Sequence, residues 1–263
     1  ELEWLPRGAR ARSTKQKAHI DRIHAMQEMK DIQEEKRVML DSVASRMGNK
    51  TIELSGICKS YGEKKLIEDF SYIFLKKDRI GIIGHNGCGK STLLKIINGI
   101  VKPDAGTIEI GQTIKIGYFS QENEYMDESE RVIDYVKEAG EYIATSDGKI
   151  TASRMLERFL FDGAMQWSRI EKLSGGEKRR LYLLRVLMEA PNVLILDEPT
   201  NDLDIQTLTI LEDYLDHFDG IILIVSHDRY FLDRTVSRIF AFEGGGKIRQ
   251  SEGGYSDYLI RVE

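Results

Sequence analysis

A glycine-rich segment between an apolar strand and a helix most constrains the fold of this chain. Residues 84–91 read G-H-N-G-C-G-K-S and match the pattern G-x-x-x-x-G-K-[ST]. Its glycines allow successive backbone N–H groups to curl around a phosphate at the positive end of the following helix. In this pattern Lys90 reaches the β- and γ-phosphates and the Ser91 hydroxyl holds Mg²⁺. The segment therefore predicts a strand–loop–helix unit of an α/β fold that binds a polyphosphate.

A second candidate site follows the apolar run of residues 193–196, which ends in Asp197 and Glu198 before Pro199. Neighbouring residues of a strand point to opposite faces, so the two acids are expected to have different roles. Asp197 suits the Mg²⁺ shell, and Glu198 suits activation of an attacking water. The alternative is a strand that simply ends in a solvated acidic turn.

The segment Leu173-Ser-Gly-Gly-Glu precedes a predicted helix. Ser174 and Glu177 have the spacing of a capping box, which is a sufficient structural explanation for those two residues. Gly175 and Gly176 are not explained in this way, because each costs roughly 1 kcal/mol relative to Ala in a helix. Their presence predicts that a ligand, most naturally a phosphate, approaches these amides closely.

Charge divides the chain into a basic head and an acidic body. The net charge of the 263 residues is −5, but residues 1–50 carry 11 Lys/Arg against 8 Asp/Glu. A long helix is predicted over residues 14–46, and we place a linker at 1–50 and a catalytic domain at 51–263. The overall net charge alone argues against a nucleic-acid partner, whereas a basic head of this kind can attract phosphates by counterion release; the alternative is a solvated helix that only keeps this segment soluble. Two cysteines make no disulfide framework, which favours a reducing, cytoplasmic setting.

The order of the motifs resembles an ABC-type ATPase nucleotide-binding domain over about residues 51–250. The phosphate loop, Tyr-Phe-Ser-Gln121, Leu-Ser-Gly-Gly-Glu, Leu-Asp-Glu-Pro and Ser-His-Asp follow one another as in that family. The resemblance implies a P-loop NTPase fold with a RecA-like core, an antiparallel β subdomain and an α-helical subdomain, here preceded by the long helix. It also implies hydrolysis of ATP with Mg²⁺.

The resemblance further assigns individual roles. Tyr61 would stack on adenine, Gln121 would sense Mg²⁺ and the γ-phosphate, and His227 would contact the γ-phosphate. Ser174 and Gly176 would bind the γ-phosphate held by a second domain, in a head-to-tail pair. The nucleotide-binding set also contains Gly84, Asn86, Gly87, Cys88, Gly89, Lys90, Ser91, Thr92 and Gly175. Glu198, His227 and Lys90 would be the catalytic residues, and Ser91, Gln121 and Asp197 the metal ligands.

The sequence E-P-T-N-D-L-D at residues 198–204 resembles the ABC-F subfamily, whose members have two ATPase domains and no membrane part. The chain is therefore expected to be the second ATPase domain with the late half of the linker, and its partner the first domain of the same full-length chain. Ribosomal RNA or DNA would bind the linker. Alone, the chain would be a monomer or weak homodimer with low activity. A membrane-transporter ATPase subunit is the main alternative, and a DNA-repair ATPase or a pure binding module are weaker ones.

Overall fold

The structure of this chain, a computed structural model, describes residues 47–121, 126–145 and 148–262. The predicted helix at residues 14–46 lies outside the described residues. The predicted linker at 1–50 and the domain boundary after it therefore stay predictions. In the described ranges no helix is long and apolar enough to cross a lipid bilayer.

A six-stranded sheet organises the larger part of the described residues, in the order β11-β10-β3-β9-β8-β5. The five strands from β10 to β5 run parallel, and β11 pairs antiparallel with β10. The carboxyl ends of the parallel strands share one edge, so the loops after β3, β5, β8 and β9 meet there. The strands are β3 (Arg79–Ile83), β5 (Ile116–Phe119), β8 (Val193–Asp197), β9 (Ile221–Val225), β10 (Arg238–Gly244) and β11 (Lys247–Glu252).

Alternate residues of these strands enter two cores on opposite faces of the sheet. Leu194 and Leu196 belong to one core, and Val193 and Ile195 belong to the other. All residues of β8 and β9 are buried, as expected for parallel strands covered on both sides. The first core includes side chains of α5 (Gly175–Met188), α7 (Ile205–Asp216) and α8 (Arg229–Thr235), and the second includes those of α1 (Lys90–Ile97).

A three-stranded antiparallel sheet in the order β2-β1-β4 packs into the second core. Its strands are β1 (Ile52–Tyr61), β2 (Lys64–Ile73) and β4 (Ala105–Ile110). The backbone N–H of Glu68 in β2 donates to the Gly246 carbonyl at 2.9 Å, which fastens this sheet to the β10–β11 turn. The hairpin of β1 and β2 therefore lies next to the β10–β11 turn, and β10 pairs with β3 in the six-stranded sheet.

Short helices precede α5. They are α2 (Val132–Ala139), α3 (Ala152–Arg158) and α4 (Gly163–Gln166), with a hairpin of β6 (Tyr142–Thr145) and β7 (Gly148–Thr151) and a 3-10 turn at Ile170–Lys172. The side chains of Thr151 and Asp162 accept from the backbone N–H groups of Arg154 and Met165 and so cap α3 and α4. Two further helices, α6 (Pro199–Asp202) and α9 (Tyr255–Val262), follow β8 and β11.

The predicted α/β fold is confirmed, but several predicted element bounds are wrong. The β-rich run of residues 70–75 predicts a strand there; the observed strand is β2, which begins earlier, at Lys64, and ends at Ile73. Its first half was missed because K-K-L-I-E-D carries charges on its exposed positions, while Leu66 and Ile67 point into the core. The β6–β7 and β10–β11 hairpins and α8 were also not predicted, because each is short and lacks a long apolar run.

Candidate active site

The loop between β3 and α1 has the backbone that its glycines allow. Gly84, Gly87 and Gly89 have φ values of 151°, 73° and 119°. A Cβ atom added at Gly84 would lie 2.8 Å from Cys88 Sγ and 2.8 Å from Phe242 Cβ. The fold of this chain therefore requires glycine there, and the tight turn that results is the backbone shape that the sequence predicts for a phosphate loop.

Lys90 is buried at the start of α1, with its ammonium group held over the loop that precedes it. Nζ donates to the Gly84 carbonyl at 2.8 Å and to the His85 carbonyl at 3.2 Å. A cation at this point adds a positive charge to the positive end of α1. The loop is thus an anion site with both a backbone and a side-chain component. Ser91 and Thr92 follow on the first turn of the same helix.

Asp197 and Glu198 lie at the carboxyl end of β8, two strands from the phosphate loop in the sheet. Asp197 is the last residue of the strand and is 2% exposed. Glu198 is 6% exposed but lies outside the strand, with a left-handed φ of 53°. The two carboxylates are therefore separated by this turn and not, as expected, by strand alternation. The Glu198 N–H donates to the Val225 carbonyl at 2.9 Å and fixes the turn against β9.

Burial raises the pKa of both carboxyl groups. For Asp197, burial is the largest effect on the pKa, and the Ser91 and Tyr118 hydroxyls and the Lys90 charge act against it. For Glu198, burial again raises the pKa, while His227 and Lys90 lower it. Ionisation of either carboxyl group is therefore unfavourable inside this fold. A bound cation or a hydrogen-bond donor would offset that cost.

His227 reaches Glu198 from the loop after β9. Its Nε2 lies 3.2 Å from Glu198 Oε1, and its side chain is about half exposed. Beneath it, the Ser226 and Thr200 hydroxyl groups lie 3.0 Å apart, and the Asp228 N–H donates to Ser226 Oγ at 3.0 Å. These contacts hold the loops after β8 and β9 together, so that the buried carboxylate faces a half-exposed imidazole.

Two buried oxygens of this site have no hydrogen-bond partner among the described residues: Asp197 Oδ1 and Glu198 Oε2. No group of three His, Cys, Asp or Glu side chains suited to a metal occurs in the described ranges. Mg²⁺ needs few protein carboxylates, because phosphates and waters complete its shell. The available oxygens of Asp197 and Ser91 therefore fit Mg²⁺ that arrives with a polyphosphate, and Gln121, exposed just after β5, is the third predicted ligand.

Tyr118 is a site residue that the sequence did not single out. It lies on β5, next to β8, and its hydroxyl is 3.5 Å from Asp197 Oδ2. The only signal was its place in the strand that leads to Gln121. Tyr61, predicted to stack on a base, ends β1 with its ring 54% exposed and the Lys59 ammonium 5.2 Å from the ring centroid.

Ser174 forms the capping box that was the structural alternative. Its Oγ accepts from the Glu177 N–H at 3.3 Å, and its own N–H donates to Glu177 Oε2 at 2.7 Å. By contrast, a Cβ added at Gly175 or Gly176 would meet nothing within 4 Å. No hydrogen bond or ion pair among the described residues connects 174–176 to the phosphate loop. The capping box thus explains Ser174 and Glu177 but leaves the two glycines open to an outside contact.

Arg179 connects α5 to two loops of the site and was also missed. Its guanidinium carbon lies 4.0 Å from the centroid of the Phe119 ring, and its Nη2 donates to the Ser120 carbonyl, next to Gln121. Its Nε lies 3.3 Å from Asp202, on α6 just beyond Glu198. The run Lys178-Arg179-Arg180 gave no sign of this, because consecutive basic residues usually mark a solvated surface.

Comparisons with known proteins agree with this geometry. The protein family described as "ABC transporter" matches residues 67–201, about half of the chain. The chain is 53% identical to the uncharacterised ABC transporter ATP-binding protein YfmR of Bacillus subtilis, over 98% of this chain and 41% of that protein. It is 38% identical to ATP-binding protein Uup of Escherichia coli, over 98% of this chain and 41% of that one. With the energy-dependent translational throttle protein EttA of E. coli it shares 39% identity, over 98% and 47%.

Solved structures show the same fold at low sequence identity. An ATP-binding subunit of an ABC transporter superimposes with a TM-score of 0.65 at 21% identity, covering 81% of this chain and 93% of that one. The ATP-binding cassette MJ0796, a dimer with ADP and Pi, superimposes with a TM-score of 0.61 at 20% identity, covering 77% and 98%. The chain spans less than half the length of YfmR, Uup and EttA.

Proposed function

Because this chain belongs to the ABC transporter family of ATP-binding domains, we propose that it binds MgATP at residues 84–92 and hydrolyses it. Its similarity to Uup and EttA also makes it an ABC-F protein. The observation that carries the proposal is the buried pair Asp197–Glu198 on the same sheet edge as the phosphate loop. Each acid has a buried oxygen without a hydrogen-bond partner in the described ranges.

Each residue then has one task in hydrolysis. Lys90 exchanges its two loop carbonyls for the β- and γ-phosphates, and the loop amides bind the phosphate oxygens. Glu198 accepts the proton of the attacking water, for which its raised pKa makes it a better base than an ordinary glutamate. His227, 3.2 Å from Glu198 and half exposed, orients that water and the γ-phosphate. Mg²⁺, held by Ser91, Asp197 and Gln121, would neutralise phosphate charge.

The second half of the site comes from another ABC domain. Gly175 and Gly176 lower the stability of α5 without any packing reason inside the described fold, and they leave amides open at a helix N-terminus. We therefore assign Ser174, Gly175 and Gly176 to the γ-phosphate bound by a partner domain, in a head-to-tail pair. In the full-length protein that partner is the first ABC domain, and two copies of this chain pair weakly in its place.

The physiological target is ribosomal RNA, bound through the basic residues of 1–50. The support is the excess of three positive charges in this segment and the translational role named for EttA. Cytoplasmic location follows from that target. ATP-dependent closure of the two domains would bring the linker to the ribosome, and hydrolysis would release it.

The catalytic assignment is tested with Glu198→Gln, measuring binding of ATP and release of phosphate separately. The expected result is ATP binding at the level of the unaltered chain with turnover lowered at least about 100-fold. Glu109→Gln is the matched control, because Glu109 is an exposed strand residue paired with Lys50, and its change should leave both values unaltered. Unaltered turnover in Glu198→Gln would remove Glu198 from the catalytic role.

The head-to-tail pair is tested by mixing two inactive variants. The Glu198→Gln chain retains unaltered residues 174–176 but lacks the catalytic carboxylate. The Gly176→Arg chain retains Glu198 but has an altered 174–176 segment. In a mixed pair one composite site is intact, so about a quarter of the unaltered turnover is expected to return on mixing. A mixture that stays inactive at high concentration would refute the pair.

Ribosome binding is tested with the full-length Glu198→Gln protein by co-sedimentation with ribosomes and ATP at several salt concentrations. Binding is expected to weaken steeply with salt, and replacing the basic residues of 1–50 by Gln should reduce the slope. Retention on duplex DNA with no ribosome binding would overturn the RNA assignment.

A further inference from the structure

Lys64 lies over the phosphate loop, although it belongs to a different part of the chain. It is the first residue of β2 and pairs with Tyr61 across the hairpin. A Cβ atom added at Gly87 would lie 3.5 Å from Lys64 Nζ. The ammonium group is therefore placed next to the phosphate loop, at Gly87.

The position of β2 along the phosphate loop explains where Lys64 lies. Side chains two residues apart lie on the same face of a strand. Leu66, two residues after Lys64, is the contact that a Cβ at Gly89 would meet, at 3.1 Å. Positions 64 and 66 of the strand thus run along positions 87 and 89 of the loop, and the cation is directed to the loop by the register of the sheet.

Lys64 differs from the other two lysines of the β1–β2 hairpin, because the described residues offer its ammonium group no carboxylate partner. Lys65 forms an ion pair with Glu68 at 2.7 Å, and Lys59 forms one with Asp104 at 2.6 Å. Across residues 47–121, 126–145 and 148–262, Lys64 has neither an ion pair nor a hydrogen bond. Three lysines of one hairpin therefore differ: two are neutralised by carboxylates, and the third faces a loop of backbone N–H donors, where only an anion would be favourable.

We infer that Lys64 is a further phosphate-binding residue, which contacts the polyphosphate of the nucleotide beside Gly87 of the loop. The inference rests on the proposed function, because it concerns the same nucleotide. A lysine acts as a point charge toward phosphate and does not need the fixed geometry of an arginine fork. Lys64 would therefore strengthen binding of nucleotides that carry a phosphate chain and have no effect on the nucleoside.

The structural alternative is a solvated lysine at a strand end, and it makes a different prediction. A solvated lysine contributes only through the overall charge, so Lys64 and Lys65 would be equivalent. Lys65 is the matched control: it is the next residue, it has the same charge, and its ammonium group is paired with Glu68 at 2.7 Å.

The test compares Lys64→Met, Lys64→Arg and Lys65→Met in the 263-residue chain, with Lys90→Ala as a reference. Binding of mant-labelled ATP, ADP and adenosine is measured by fluorescence titration at two salt concentrations. For Lys64→Met we expect about 10-fold weaker binding of ATP and ADP, since a charge-assisted contact is lost, with adenosine unchanged. Lys64→Arg should recover most of the affinity, and Lys65→Met should bind like the unaltered chain.

The outcomes separate this inference from the proposed function. If the unaltered chain does not bind mant-ATP, or if Lys90→Ala binds it equally well, the proposed function is wrong and the inference falls with it. If Lys90→Ala loses binding while Lys64→Met does not, the proposed function stands and Lys64 is not a phosphate ligand. Equal losses in Lys64→Met and Lys65→Met would mean a net-charge effect and would overturn the inference. Thermal unfolding of each variant excludes misfolding as the cause.

Discussion

Glu198→Gln is expected to make this domain more stable while it abolishes hydrolysis. Glu198 is 6% exposed; one carboxylate oxygen lies 3.2 Å from His227 Nε2, and the other has no hydrogen-bond partner among the described residues. Burial raises its pKa, which means that the ionised form is disfavoured in the fold relative to water. A neutral amide of the same shape removes that charge and keeps the side-chain volume.

The size of the effect follows from these contacts. A buried polar group without its partner costs about 1–3 kcal/mol, and more when it is charged. The contact with His227 returns little of this, because the His227 side chain is half exposed and is screened by water. The amide of Gln keeps part of the penalty. We therefore expect a gain of about 1–2 kcal/mol at neutral pH, or about 2–8 °C in Tm for a domain of this size.

The gain should depend on pH with a defined sign. Because the folded-state pKa of Glu198 is raised, the folded chain binds a proton more readily than the unfolded chain. The contribution of Glu198 to stability is thus full below its unfolded pKa and is lost as the pH rises through the folded value. The difference in Tm between Glu198→Gln and the unaltered chain should be small at acid pH and reach its maximum near neutral pH.

Differential scanning fluorimetry between pH 4.5 and 8, without nucleotide, measures this difference. Glu177→Gln is the control of opposite sign. Glu177 accepts from the Ser174 N–H and Oγ, which lowers its pKa, so its contribution is present above the unfolded pKa and is lost on acidification. Gln at this position can still accept these hydrogen bonds, so the replacement removes only a negative charge near the helix N-terminus and should destabilise the chain by about 0.3–1 kcal/mol at neutral pH. A lower Tm for Glu198→Gln at neutral pH, or a gain independent of pH, would refute the argument.

Three further changes test the parts around the site. Gly89→Ala should lower both stability, by about 1–2 kcal/mol, and ATP affinity, because φ is 119° and Leu66 lies 3.1 Å from the added Cβ; urea unfolding and ATP titration measure the two effects. Arg179→Met should lower the unfolding free energy by about 1–3 kcal/mol in urea, since it leaves the Ser120 carbonyl without this donor. Asp204→Ala removes the cap of α7, made to the Thr207 N–H at 2.7 Å, and should cost about 1 kcal/mol in the same assay.

The sequence predicted the elements whose pattern is local. The sequence predicts strands at residues 79–83 and 221–225 and a helix at residues 175–188, and the structure has all three with these bounds. The reason is that a buried parallel strand is an apolar run and a capping box fixes the start of a helix. The phosphate loop was equally visible, since its glycines are required by contacts inside the loop and with residues packed on it.

The parts that were missed depend on contacts between residues far apart in the chain. Arg179 meets the Ser120 carbonyl 59 residues away, and Tyr118 meets Asp197 79 residues away. Lys64 is one of three lysines in its hairpin, and only the strand register distinguishes it from Lys65. The sequence correctly predicted that Asp197 and Glu198 have different surroundings, but it attributed this to strand alternation. The cause is the left-handed φ of Glu198, which the sequence pattern does not indicate.

The two sets of glycines in this chain lead to the strongest argument for a partner domain. At Gly84 and Gly89 a Cβ would collide with residues of the same fold, so these glycines are explained without any ligand. At Gly175 and Gly176 a Cβ would meet nothing, and the helix would gain roughly 1 kcal/mol per position with Ala. A residue choice that weakens its own helix, with no compensating contact in the described fold, has its reason in something that approaches from outside. The nearest backbone groups there are N–H donors at a helix N-terminus, which select an anion, and the head-to-tail pair that we propose would supply one in the γ-phosphate of the other domain.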